Sequence, residues 1–327
     1  MRLVSHQGHI IYSRYIRVAL ALPLLIYLLL LILFKLAIVR SPLLSFFVFG
    51  SFIFFSAITV SISNNKPPSF INMIELLIVS ILLALLLLFS IGFIAIIAGL
   101  THYLSILYAI AIFLWTIILE PKLAKKNTML FLNMDQLIIL LVIPSLAVII
   151  SVYWRAGIYR FWTPDEVIYL LRVYLFLREK IFLPPTTNFS RITTYWKGRW
   201  LWISLLSMSV LLFQNPFVIN YISMVLAALG AYGILLVILK RKHYFLSLVL
   251  LAPLITSPII LTTFSFLLPD TLYAGLALSS TFYLLRSFEI IPQTLNGSSP
   301  YIRVNYRSFA ISVLIMGWSL LVKLNLT

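Results

Sequence analysis

The sequence predicts an all-α integral membrane protein: a polytopic bundle of about nine transmembrane helices with an outer loop of short interfacial helices. Three observations carry that prediction. Hydrophobic residues make up 62% of the chain and charged residues 10%, against roughly 25% charged residues in a soluble protein. The apolar residues gather into runs of about bilayer-crossing length, not into the alternating ten-residue strands of a membrane barrel. The 24 Lys and Arg outnumber the 8 Asp and Glu, for a net charge of +16, and many fall between the runs as topology determinants do. A single soluble domain of 327 residues could not hide this much apolar surface from water. The positive charge is therefore read against lipid phosphates, and no nucleic-acid partner is expected. The chain has no cysteine, which excludes disulfides and thiolate chemistry.

The runs follow in order. Val18–Val39 sits behind Arg2, Arg14 and Arg17. It is too long for a cleaved signal core and lacks a clear small-residue cleavage site, so it is expected to stay as a first helix. Pro42–Ile62, Ile71–Ile97 and Tyr103–Leu119 come next, separated by breaks such as Ser63–Ser69 and Glu120–Lys126. These four define an N-terminal region, residues 1–133, of unknown role. A second module, residues 134–327, opens with Gln136–Tyr153. It continues through the polar loop Trp154–Trp200 and ends with Phe217–Leu239, Tyr244–Thr263, Thr271–Leu285 and Phe309–Leu324. The run Leu201–Leu212 would rise only about 18 Å as a helix, short of a roughly 30 Å hydrocarbon core, and is expected to lie in or near the interface.

With the N-terminus in the cytoplasm, Lys66, Lys122, Lys125, Lys126, Lys240–Lys242, Arg286, Arg303 and Arg307 all fall on the inner side, as the positive-inside rule requires. The loop 154–200 then lies outside. It nevertheless carries Arg155, Arg160, Arg172, Arg178, Lys180, Arg191, Lys197 and Arg199. Cations placed against the topology rule suit an anion such as a lipid phosphate, or headgroups met by snorkelling side chains. Asn188-Phe-Ser190 in this loop is a glycosylation sequon, a triplet that is common by chance.

With so few acids, their positions are informative. Asp165 and Glu166 lie in Thr163-Pro-Asp-Glu166, and Asp270 lies in Leu268-Pro-Asp-Thr271. Both motifs fall on the predicted outer side, where paired carboxylates serve as a general base or hold a divalent cation. A purely structural reading stands beside this one. Thr163 suits an N-cap, Pro164 the first helical position and Glu166 the third position of a capping box, while Asp270 follows Pro269 as a helix start. Lys323, near the predicted outer end of the last run, either snorkels or meets a phosphate. No Gly-rich phosphate loop occurs, the histidines (His6, His9, His102 and His243) are scattered, and no pair of acids sits at the midpoint of a run. Nucleotide binding, a zinc site and proton-coupled transport are therefore not expected.

The order of Thr163–Tyr169, Tyr195-Trp-Lys-Gly-Arg-Trp-Leu201, Ser257-Pro258, Leu268–Leu272 and Gly317 followed by Lys323 resembles the GT-C glycosyltransferases. These are membrane enzymes that use polyprenyl-phosphate sugars, and the branch of protein O-mannosyltransferases and the lipid A aminoarabinose transferase looks most similar. The resemblance spans roughly Asp135–Thr327. It implies transfer of a sugar from a polyprenyl-phosphate donor to a hydroxyl of a glycan, lipid or protein acceptor, at the outer face of the plasma membrane. It also implies Asp165 and Asp270 as catalytic residues, with a divalent cation as a cofactor they could share. Lys197 and Lys323 match family positions near the substrate, and Arg199 and Glu166, which the family pattern does not supply, are expected from their place in the outer loop to contact the substrate as well. In the family a Pro-Pro pair stands where this chain has Gly198-Arg199, and members continue well beyond the point matching Thr327, so a C-terminally truncated member is expected. Two other functions stay open: a non-catalytic protein that binds or transports a polyprenyl-phosphate lipid, and a membrane assembly subunit.

Overall fold

The computed structural model describes residues 70–100, 142–151, 153–154, 164–179, 199–239, 243–291 and 301–323, with scattered positions between 103 and 111. The runs Val18–Val39 and Pro42–Ile62, and most of Tyr103–Leu119, lie outside the described residues. Contacts divide the chain into two compact units, residues 1–136 with 208–215, and residues 137–207 with 216–327.

In the first unit, α1 (Phe70–Ile97) corresponds to the third apolar run. The 25 residues Met73–Ile97 are long and apolar enough to cross a membrane. The helix stops at Gly99, whose φ of 72° lets Gly99 N–H reach Ile96 O at 3.2 Å and Leu100 N–H reach Ala95 O at 2.7 Å. A side chain there would resist the left-handed turn that makes these closing bonds. Met208 packs directly on Gly92, so its sulfur takes the space a Cβ would fill.

The second unit holds a short apolar helix, Val142–Ser151, then α2 (Pro164–Glu179), most of α3 (Trp200–Phe213), α4 (Val218–Ile238), α5 (Tyr244–Thr256), α6 (Pro258–Ser265), α7 (Pro269–Ser287) and α8 (Tyr306–Lys323). A two-stranded antiparallel hairpin, β1 (Phe288–Ile291) with β2 (Tyr301–Val304), joins α7 to α8. Hydropathy carries no sign of this hairpin, because four-residue strands in a polar connection lack a run to detect. Asn305 closes it: its N–H bonds Ser287 O at 2.7 Å. Its Oδ1 accepts from Ser308 N–H at 3.4 Å and so caps α8.

Val218–Ile238 and Tyr306–Lys323 are also long and apolar enough to span, and α5 with α6 makes a further span if the bent pair is counted as one. The pair bends by 61° at Ser257, whose ψ of 126° is extended. Pro258 disfavours helical geometry in the residue before it and offers no N–H to Leu254. α3, at 14 residues, is too short to cross upright. It is not laid on an open surface, since every residue from Leu201 to Ser209 is buried.

Small residues set the packing. A Cβ on Gly230 would lie 2.8 Å from the backbone of Leu278 and Ser279, and one on Gly275 would lie 2.6 Å from Ser223 O. These contacts run in the same direction along α4 and α7, so the two helices are parallel and nearly touch backbone to backbone. α7 and α8 are antiparallel and joined by reciprocal bonds: Ser280 Oγ to Ser312 O at 3.0 Å and Ser312 Oγ to Ser280 O at 2.9 Å. Serines are buried between the helices while Phe245, Ile259 and Leu314 are more than 70% exposed. That distribution suits helices surrounded by lipid and is compatible with an integral membrane protein.

Candidate functional site

The strand-like residues between α6 and α7 are where the site is assembled. Phe266 (ψ 143°) and Leu268 (ψ 144°) are extended, and Pro269 then starts α7 as a proline at the first helical turn does. Two side chains hold this linker. From α4, Asn220 Nδ2 donates to Phe264 O at 3.1 Å and Phe266 O at 2.7 Å. From α2, Glu166 Oε1 accepts the Leu267 N–H at 2.9 Å, across 101 positions of sequence. Glu166 is fully buried. Its carboxylate therefore ties the first turn of α2 to the approach to α7.

Asp165 lies beside Glu166, and Asp270 comes three residues after Leu267. The starts of α2 and α7 thus bring both predicted acids to the same end of the unit. Antiparallel packing carries the last turn of α8 to that end as well. There Lys323 Nζ lies 2.8 Å from Asp270 Oδ1, both side chains about half exposed, and 5.0 Å from the centre of the Tyr273 ring.

Along α2, Asp165, Tyr169 and Arg172 follow at spacings of four and three, which put them on one helix face. Tyr169 is fully buried and Arg172 nearly so. Arg199 Nη1 donates to Tyr169 Oη, and its guanidinium sits 5.8 Å from the centre of that ring. Burial pushes the Tyr169 hydroxyl well above its ordinary value; Arg199 opposes that shift and Asp165 adds to it. Burial lowers Arg172, the field of Tyr169 opposes this, and the nearby charge of Arg199 adds to the lowering. Asp165, Tyr169, Arg172 and Arg199 therefore form one electrostatic neighbourhood. Tyr169 was visible in sequence only as part of a motif and Arg172 only as one cation among many. The helical spacing from Asp165 was the sign that would have joined them.

No known family, curated protein or solved structure matches this chain. The site is thus read from its own chemistry. Lys197 lies outside the described residues, as does the sequon at Asn188. Asp165, Glu166, Arg199, Asp270 and Lys323 are placed, and their elements converge as above. Among the described residues, no ligand set for a divalent cation shared by Asp165 and Asp270 is assembled. The Asp270 carboxylate is engaged by an ammonium group, and among the described residues no three His, Cys, Asp or Glu side chains gather, where such an ion takes several oxygen ligands. What the arrangement offers is a carboxylate at a helix start and two guanidinium groups that all act on the same buried tyrosine, Tyr169.

Proposed function

We propose that the chain is a GT-C-type glycosyltransferase that moves a sugar from a polyprenyl phosphate to an acceptor hydroxyl. In this reading it has about nine membrane-spanning helices, a cytoplasmic N-terminus and the 154–200 loop on the outer face of the plasma membrane. The observation that carries the reading is the Glu166–Leu267 bond. It supports a site in which the acids of two distant motifs work at one end of the bundle, beside Arg199. Basic Arg286 and Arg307 fall at the opposite ends of α7 and α8, which supports the orientation.

Asp165 takes the proton of the acceptor hydroxyl as its oxygen attacks the anomeric carbon. The bond from that carbon to the phosphate oxygen breaks, and the polyprenyl phosphate leaves with the electron pair. Arg199 and Lys197 stabilise the developing phosphate charge. Asp270 orients the acceptor, and Lys323, its partner, meets the donor phosphate. No step is routed through a metal.

The Lys323 ammonium, held at the site end by Asp270, favours a second reading, a protein that holds a polyprenyl-phosphate lipid without chemistry, because it offers a phosphate contact independent of the Asp165 base. The test is sugar transfer from radiolabelled polyprenyl-phosphate sugars by membranes containing the chain. Transfer is expected, with a fall of about 10²-fold or more in Asp165→Asn. Undiminished transfer in the variant would sink the role of Asp165. Lipid binding that survives Asp165→Asn with Asp270→Asn, without transfer from any donor, would establish the second reading.

A further inference from the structure

We infer that Asn220 and Glu166 are a pair of positioning residues that, from two different helices, clamp the end of α6 and the Phe266–Leu268 linker and so set where Asp270 stands. Asn220 was not a predicted site residue. Its carboxamide is 1% exposed and gives both N–H groups to linker carbonyls. Its Oδ1 is buried and accepts no hydrogen bond among the described residues. The side chain is therefore present for its donors. Turning the amide over would set its oxygen against two carbonyl oxygens, so the orientation is fixed by the network.

Glu166 supplies the complementary acceptor to the next amide along, at Leu267. Between them the two side chains satisfy three backbone groups within four residues, Phe264 O in the last turn of α6 and Phe266 O and Leu267 N just beyond it, before α7 begins. The linker is bounded by the Ser257–Pro258 bend upstream, and downstream by Thr271, whose Oγ1 bonds Leu268 O at 2.8 Å. Its own backbone supplies only the short bonds from Leu268 N–H to Phe266 O at 2.8 Å and from Thr271 N–H to Leu268 O at 3.2 Å. Its path into α7 is set by side chains from α4 and α2.

This inference rests on the proposed function only for the importance of Asp270, and its test needs no sugar donor. The chain lacks cysteine, so Leu267→Cys introduces a single thiol at a position that is fully buried, and Leu229→Cys places a control thiol in the equally buried interior of α4. The full chain, reconstituted in lipid nanodiscs, is treated with a maleimide and the labelling rate is followed. Glu166→Ala and Asn220→Asp are each expected to raise labelling at position 267 by about 10-fold or more through local opening, with position 229 unchanged. Glu166→Gln keeps an acceptor oxygen and is expected to stay near the parent rate. Unchanged labelling at 267 in both disruptive variants overturns the clamp, as does an equal rise at 229, which would mean general loss of stability. A chain that shows the clamp pattern but no transfer refutes the transferase alone, and transfer without the pattern refutes the clamp alone.

Discussion

Lys323 Nζ stands 2.8 Å from Asp270 Oδ1, joining the last turn of α8 to the first turn of α7. Both groups are about half exposed, so water screens the pair and its contribution to stability is expected to be below about 1 kcal/mol. Lys323→Ala should therefore barely change the melting temperature in detergent. If the proposed function holds, it should lower donor affinity through loss of a phosphate contact. A large fall in melting temperature would make the pair a structural fastener instead.

Gly275 and Gly317 should behave oppositely. An added methyl at Gly275 meets Ser223 O at 2.6 Å, whereas one at Gly317 meets nothing within 4 Å. Gly275→Ala has to push α4 and α7 apart, at a cost of about 1–3 kcal/mol. Gly317→Ala should be neutral or stabilising by up to about 1 kcal/mol, because alanine is the better helix former. Thermal unfolding of the two variants checks this, and equal effects would contradict the close approach of α4 and α7.

The Ser280 and Ser312 hydroxyls also lie 3.1 Å from each other, and this direct contact predicts coupling. In a double-mutant cycle of Ser280→Ala and Ser312→Ala, the interaction energy should fall at about 0.6–1.7 kcal/mol, the range for interhelical hydrogen bonds in a bilayer. Additive effects would mean the two hydroxyls act independently.

Tyr169 predicts a loss of stability in alkali. The unfolded chain ionises this tyrosine near its ordinary 10.0, while burial keeps the folded hydroxyl protonated to higher pH. Above that point the folded state holds a proton that the unfolded state has lost. The contribution is therefore fully present below pH 10.0 and is lost as pH rises beyond it. Between about pH 9 and about pH 11 the melting temperature of Tyr169→Phe should fall less than that of the parent. At neutral pH the variant should be weaker by about 1–3 kcal/mol, since it takes the hydroxyl from Arg199. Equal alkaline losses in both proteins would contradict the burial of Tyr169.

Helices were legible wherever apolar residues formed a long run. Ile71–Ile97 and Phe217–Leu239 match α1 and α4 to within a residue or so, because transfer into lipid rewards the whole run and not any single residue. Tyr244–Thr263 reads as one span, yet Pro258 breaks it, an effect of one backbone N–H that hydropathy does not register. In the site, the acids stood out by their rarity, but their neighbours did not. The partner of Glu166 is a backbone amide 101 positions away, which carries no residue identity to find. Its capping-box pattern pointed at its own helix start, where Thr163 lies outside the described residues. The meeting of Lys323 with Asp270 depends on α7 and α8 being similar in length, at 19 and 18 residues, and antiparallel through a hairpin that the sequence hides.

The bend at Ser257–Pro258 shortens the path of the chain. The 8 residues of α6, tilted 61° from α5, advance only about 6 Å along its axis instead of about 12 Å. The linker after α6 therefore turns back with Leu267 fully buried, where its peptide groups depend on protein partners. Each group left bare there would cost several kcal/mol. Asn220 and Glu166 thus act as a fixed, two-molecule hydration shell made of protein.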